Sequence, residues 1–268
     1  MNKNVLKEQV RKYWGKEPCG STTAKSRIFS REYFDEIEEY RYSIEPEIFS
    51  FAQFTRFRDC KVLEVGVGTG TDFIQWIRAG ARAYGLDLTQ ESIEYVKKRL
   101  EVYGLEAEEI RLADAENLPY PDNTFDLVYS WGVIHHTPNI IRALEEIIRV
   151  TRPGGKCKIM IYNRHSLSAF YKYLLWGVLR GKPFRSISWL LFHHQESIGT
   201  KAFTIREVKS IISKYPIKII NIRASVTKYD LLWQSPLPFR VAAYILGCLL
   251  GINRMGWFMT IEFDKMAL

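Results

Sequence analysis

From Lys61 onward the apolar positions switch repeatedly between short continuous runs and stripes spaced three or four residues apart. Lys61-Val-Leu-Glu-Val65, Arg82-Ala-Tyr-Gly-Leu-Asp87, Glu109 to Ala113, Thr124 to Ser130 and Lys156 to Tyr162 read as strands. The stretches between them are helical in period. Thr71 to Ala79 sets Phe73, Ile74 and Ile77 on one face, and the segment after Thr89 aligns Ile93, Val96, Leu100 and Tyr103 before Gly104 closes it as a C-cap. Thr137 with Pro138 predicts an N-cap and first helical residue for a helix to Val150 that turns Ile141, Leu144, Ile147 and Ile148 inward. Arg152-Pro-Gly-Gly155 reads as a turn into the fifth strand. Strands alternating with helices of this length imply parallel βαβ units in a doubly wound sheet.

The alternation stops at Asn163. Residues 164–201 are aromatic and basic, and an amphipathic stretch from Ala169 to Arg180 suits either a roof over an apolar ligand, a membrane-surface contact, or plain packing on the sheet. Thr204-Ile-Arg-Glu207 is a capping box opening a further helix, which Pro216 stops. Ile217 to Arg223 and Gly256 to Glu262 make a sixth and a seventh strand. Residues 1–55 are expected as an N-terminal lid or substrate-binding segment, and residues 56–268 as the main domain with a cap insertion at 163–203.

Composition adds little to this pattern and excludes some classes. With 268 residues and 47% hydrophobic content the chain can bury one large core. The net charge of +8 suits either an anionic partner or a merely solvated basic surface, since no Lys/Arg block stands out, and no nucleic-acid partner is expected. Cys19, Cys60, Cys157 and Cys248 are scattered, so neither a zinc site nor a disulfide framework is indicated and no metal is expected. The charged N-terminus has no apolar core of a signal peptide, and Leu237 to Leu250 is interrupted by Pro238 and Arg240 and too short to span a bilayer. A cytoplasmic setting is the expectation.

The candidate chemistry gathers at the carboxyl ends of the strands, where an open parallel sheet binds ligands. Gly66, Gly68 and Gly70 alternate through the strand-to-helix turn, where a backbone without Cβ can come close to a ligand. The spacing is GxGxG, unlike the dinucleotide fingerprint with its third glycine three residues after the second. Glu64, Asp87, Asp114 and Ser130 fall at strand ends. An acid at the end of the second strand is placed to accept hydrogen bonds from both hydroxyls of a ribose, and Asp114 with the Ala115 N–H could read the edge of an adenine.

Leu63-Glu-Val-Gly-Val-Gly-Thr-Gly70, Gly85-Leu-Asp87, Ala113-Asp-Ala-Glu-Asn-Leu-Pro119, Phe125 to Ser130, Trp131 to Pro138 and Leu144 to Gly155 together resemble the class I S-adenosylmethionine-dependent methyltransferases, in the style of the ubiquinone and menaquinone biosynthesis branch. The resemblance covers residues of roughly 58 to 162. It implies a Rossmann-like, doubly wound, seven-stranded and mostly parallel sheet whose last strand is antiparallel. It also implies S-adenosylmethionine as cofactor, with Glu64 to Gly70 cradling its methionine part, Asp87 on the ribose, Leu88 on the adenine face, Asp114 and Ala115 at the adenine edge, and Ser130 and Trp131 on the path to the methyl group.

A sulfonium methyl needs little activation, so alignment supplies most of the rate and a base is needed only where the acceptor must lose a proton. His135 and His136 are candidates for that base or for pocket wall, and Tyr13, Tyr33, Tyr42 and His165 are candidate acceptor contacts. Cys19 reads as a nucleophile, a soft ligand or a structural thiol. The leading expectation is methyl transfer to a small aromatic or amphipathic metabolite. A lipid or prenylated quinone at the membrane surface is the alternative, and a SAM-binding regulator without transfer activity is the reading from another class.

Overall fold

The computed structural model describes residues 2–251 and 254–267. Its N-terminal part is helical: α1 (Lys3–Lys16), α2 (Arg31–Ile44), α3 (Glu47–Ala52) and a 3₁₀ turn (Phe54–Phe57). Then come β1 (Lys61–Val65), α4 (Thr71–Arg78), β2 (Arg82–Asp87), α5 (Gln90–Tyr103), β3 (Glu109–Leu112), β4 (Phe125–Trp131), α6 (Ile140–Val150) and β5 (Thr151–Asn163). After β5 lie α7 (Leu167–Tyr173), a π-helical turn (Leu174–Val178), α8 (Ile187–His194), the short β6 (Ala202–Phe203), α9 (Ile205–Ile212), β7 (Ile217–Arg223), α10 (Leu237–Leu250) and β8 (Phe258–Lys265).

The sheet order is β3-β2-β1-β4-β5-β8-β7, with β6 paired to the end of β5 outside this path. β1 to β5 run parallel, and β8 is antiparallel to both β5 and β7. The anticipated seven strands with an antiparallel last one are all present, and β6 makes the sheet eight-stranded. The two-residue β6 was not foreseen, because so short a pairing leaves no periodic signal.

Because the central strands are covered on both faces, their residues feed two cores alternately. Leu63, Val65, Val128, Ile159 and Ile161 face one core with α6 and α9, whereas Val62, Leu127, Tyr129, Met160 and Tyr162 face the other with α4, α5 and α3. Phe125 joins the first core despite its odd-numbered neighbours Leu127 and Tyr129 lying on the second, because the β4–β5 register shifts between Phe125 and Leu127.

Two sequence expectations need local correction. The cap of α6 is Asn139, whose side chain accepts from the Arg142 N–H at 3.3 Å, so Thr137 and Pro138 belong to the preceding loop. Arg152 to Gly155 is the bulged first part of β5 rather than a free turn, with Gly154 at φ +75°. The caps at Thr89, Gly104 and Thr204 form as read, the last as a complete capping box with Glu207. Pro238 does not interrupt its apolar stretch. It lies in the first turn of α10, where a missing N–H costs nothing.

Candidate active site

β1 delivers the chain into the glycine turn, where the Gly66 and Val67 N–H groups donate to the Leu86 carbonyl at 2.8 and 3.1 Å and lock the turn to β2. Gly66 has φ +84°, and a Cβ there would lie 2.2 Å from Cγ2 of Val133. A Gly66→Ala substitution is therefore expected to cost about 2–3 kcal/mol of stability, read as a lowered midpoint in urea. Gly68 donates its N–H to Oδ2 of Asp87 at 3.1 Å, while the Thr89 N–H and hydroxyl donate to Oδ1 at 3.0 and 2.9 Å. Burial pushes the Asp87 carboxyl up, and these donors work against that rise.

Above the turn lies a cavity of about 320 Å³, within the usual span of roughly 300–1,000 Å³ for small-molecule sites. Glu64, Gly66, Gly68, Asp87, Leu88, Asp114, Ala115, Trp131 and His136 all line it. So do residues of both flanks, notably Lys7, Trp14 and Cys19 from the N-terminal part and Lys172 and Glu196 from the insertion. Lys7 of α1 reaches across to Asp114 at 2.5 Å and Glu116 at 2.7 Å, which ties that helix over the β3 end of the cavity.

Other expected site residues lie elsewhere. Gly70 is the left-handed entry to α4, tucked against Val96. Ser130 is fully buried and alternates away from Trp131, with no partner for its hydroxyl among the described residues. Tyr33 packs with Phe29 and Tyr95 and donates to the Ser21 carbonyl at 2.6 Å, holding α2 to α5 rather than facing a ligand. Tyr42 donates to the Thr71 carbonyl at 3.1 Å and to Asp72 at 3.2 Å behind the cavity wall. Tyr13 is exposed, and its neighbour Trp14 faces inward instead. His165 is exposed in the β5–α7 connection. His135 is wholly buried between the His136 and Tyr162 rings, with neither nitrogen paired among the described residues. Burial holds its pKa well below the ordinary value, so it is a neutral packing group with no route to a ligand proton.

The cavity floor is acidic and tightly wired. Asp72 accepts from Arg41 Nε at 3.1 Å and from the second guanidinium nitrogen at 3.0 Å, and Tyr129 donates to it at 3.0 Å. Despite burial, this partnership drives Arg41 well above its usual pKa. Glu45 accepts from the Trp131 indole N–H at 2.8 Å, and Glu64 accepts from that of Trp76 at 2.9 Å. Burial raises both carboxyls, in Glu64 strongly. A cation entering here would favour their ionised forms.

At the other end stand Tyr162, Trp257, Phe258 and a polar group from the insertion. Tyr162 and Trp257 are stacked with centroids 4.2 Å apart. The Tyr162 hydroxyl meets both Glu196 oxygens, at 2.9 and 3.0 Å. His136 Nδ1 lies 3.0 Å from the hydroxyls of Ser197 and Thr200. Thr200 spends its proton on main-chain carbonyls at 2.7 Å, so towards His136 it accepts, which places a proton on Nδ1. Nε2 faces Glu196 at 3.4 Å. Burial alone would raise the Glu196 carboxyl, but His136 and Tyr162 outweigh it and hold it low. Lys172 places its ammonium 3.9 Å from the centre of the Trp257 ring and makes no ion pair or hydrogen bond among the described residues. Burial lowers its pKa to about 8, with Glu196 and Asp230 opposing the drop. Cys19 is exposed and lines the cavity, and burial pushes its thiol up to about 11, away from the thiolate form a nucleophile needs.

A family model described as a methyltransferase domain matches residues 63–159, the span that carries the glycine turn, Asp87 and Asp114. A demethylmenaquinone methyltransferase of Bacillus mycoides is 27% identical over 239 residues, covering 81% of this chain and 93% of that protein. These matches support a class I S-adenosylmethionine-dependent methyltransferase, the family that the sequence motifs resemble. The relative is similar over most of its length, and the motifs and fold support S-adenosylmethionine as the methyl donor. Solved structures agree in fold. Geranyl diphosphate C-methyltransferase from Streptomyces coelicolor A3(2) superposes with a TM-score of 0.65 at 14% identity, covering 97% of this chain and 98% of the other. A SAM-dependent methyltransferase from Aquifex aeolicus gives 0.56 at 16% identity, covering 87% and 97%.

The motif reading missed Arg41, Glu45, Asp72, Lys172 and Glu196. Only the basic, aromatic character of the insertion hinted at Lys172; Arg41, Glu45 and Glu196 carry no local spacing signal because the flanks meet the core only in three dimensions, whereas Asp72 lies two residues beyond Gly70 in the first turn of α4.

Proposed function

We propose that this methyltransferase acts on a phenol or hydroquinone that carries an apolar substituent. The observation that carries the reading is the Lys172 ammonium, held over Trp257 with no ion pair among the described residues, in an aromatic-walled cavity that continues from the glycine turn. The name of the Bacillus mycoides relative, a demethylmenaquinone methyltransferase, points to the same acceptor class.

In this reading the Gly66 to Thr69 backbone receives the methionine part of the donor, Asp87 accepts from the ribose hydroxyls, and Leu88 and Ala115 flank the adenine. Residues 1–55 serve as the lid and 163–203 as the cap. When bound, the donor supplies an electrophilic methyl group on a sulfonium. Glu45 and Glu64 offset the positive charge of that end of the cavity, while Tyr162, Trp257 and Phe258 align the acceptor ring. Lys172 stabilises the acceptor oxygen once its proton has passed to water; the electron density of that anion attacks the methyl carbon as the carbon–sulfur bond breaks, S-adenosylhomocysteine leaves, and the proton on the methylated ring carbon passes to water. The His136–Glu196 pair, anchored by Ser197 and Thr200, fixes the Tyr162 hydroxyl and with it the acceptor wall.

Lys172→Met is expected to lower kcat/KM for a hydroquinone by about 10–100-fold, the worth of one charge-assisted contact, while the affinity for S-adenosylhomocysteine stays unchanged. The lowered Lys172 pKa fixes the direction of the pH response: the ammonium is present below about 8 and lost above it. Wild-type kcat/KM should therefore bend downwards above pH ~8, and the Lys172→Met variant should lack that limb. Equal loss of donor affinity, or an unchanged limb, contradicts the assignment.

A further inference from the structure

Apart from Arg240 in its first turn, α10 is almost wholly apolar, and little of it is buried. Leu237, Phe239, Tyr244, Ile245 and Leu249 are exposed, with Leu249 at 78%, while its buried residues Ala243 and Gly247 form the contact with the body. A Cβ on Gly247 would lie 3.5 Å from Leu167, the first residue of α7, so α10 adjoins the insertion. There the pattern repeats. Phe170, Leu174, Leu175 and Leu179 face solvent, followed by Phe184 at 101% exposure. Two adjoining elements thus leave a large apolar face uncovered, well beyond the scattered apolar residues of ordinary surfaces.

The charge around this face has one sign. Residues 165–195 and 231–261 contain no Asp or Glu. Arg180, Lys182 and Arg185 flank Phe184, Arg240 sits in the first turn of α10 and Arg254 follows that helix, all exposed. A two-fold contact between copies would place these cations against their own counterparts, which opposes self-association. An anionic lipid surface complements both the apolar face and its basic margin.

We infer that the face formed by α10, α7 and the π-helical turn docks on an anionic phospholipid bilayer, with the exposed side chains entering the interface. α7 then stands between two environments, since its Lys172 lines the cavity while Phe170 faces outward. This deepens the acceptor reading above and rests on it for the purpose of docking, because an acceptor with an apolar tail would pass from the bilayer directly into the cavity. No helix among the described residues is long and apolar enough to cross a membrane, so the contact is peripheral.

The test is co-sedimentation of the full chain, without donor or acceptor, with vesicles of phosphatidylcholine alone or mixed with phosphatidylglycerol. The chain should pellet with the mixed vesicles and stay largely in the supernatant with the neutral ones. Replacing Arg180, Lys182 and Arg185 with Ser should lower the partition coefficient on the order of 100-fold. The double substitution F184S/F239S should abolish pelleting while leaving methylation of a short-tailed, water-soluble acceptor intact, and unchanged circular dichroism secures that the fold is retained. A wild-type chain that ignores both vesicle types overturns the inference, as does a dimer in light scattering that F184S/F239S dissociates. Because neither donor nor acceptor is present, vesicle binding without any hydroquinone methylation would refute the acceptor reading and leave docking standing.

Discussion

Asp72→Ala is expected to be the most destabilising single change at the cavity, costing about 3–5 kcal/mol, the usual effect of removing one partner of a buried ion pair. The side chain is only 2% exposed and accepts from Arg41, Tyr42 and Tyr129 at once. Its loss strands the Arg41 guanidinium with Glu45 as the nearest carboxylate, 3.9 Å away. It also loosens α2 from α4, since Arg41 and Tyr42 both reach Asp72 from α2, leaving the Glu38–Arg78 ion pair and the Tyr42–Thr71 bond between the two helices. Urea denaturation should show the fall in midpoint, and Asp72→Asn, which keeps an acceptor, should recover part of it. A loss below about 1 kcal/mol, the scale of a surface ion pair, would mean that the network is solvated rather than sealed.

Asp87→Ala should reduce affinity for S-adenosylhomocysteine by about 100-fold, since each charge-assisted hydrogen bond to a hydroxyl is worth roughly 1.5–3 kcal/mol. The carboxylate is pre-set for this contact. Gly68 and Thr89 fix both of its oxygens, so it loses little freedom on binding. Titration calorimetry measures the effect directly, and the product is a suitable probe because it lacks the methyl group whose transfer is at issue. An unchanged dissociation constant would remove Asp87 from the binding role, whatever the stability of the variant.

The core of the fold was legible because each strand and helix carries its own period. β1 to β4 begin and end within a residue or so of their apolar runs, and Thr89, Gly104 and Thr204 cap helices where their side-chain chemistry predicts. The departures share one cause, context that no local pattern encodes. Pro238 reads as a breaker until it is seen in a first turn, and Asn139 overrides Thr137 because the loop bends once more before α6 begins.

The site divides along the same line. The turn and Asp87 are contiguous with strand ends, so sequence placed them at the cavity, whereas alternation within β4 sends Ser130 the other way. His135 and His136 are adjacent in sequence yet differ completely in environment, one sealed in the core and the other lining the cavity. Tyr33 and Tyr42 were plausible acceptor contacts on an aromatic helix, but their hydroxyls are consumed in holding that helix down. Arg41, one residue before Tyr42, is the member of α2 that reaches the cavity.

The decisive measurement is transfer of a radiolabelled methyl group from S-adenosylmethionine to a short-tailed hydroquinone, followed by chromatography of the organic extract, with wild type and Lys172→Met run side by side. The proposed function predicts a labelled, methylated ring product whose formation falls sharply in the variant. Tight binding of the donor with no label in any phenol or hydroquinone would contradict it.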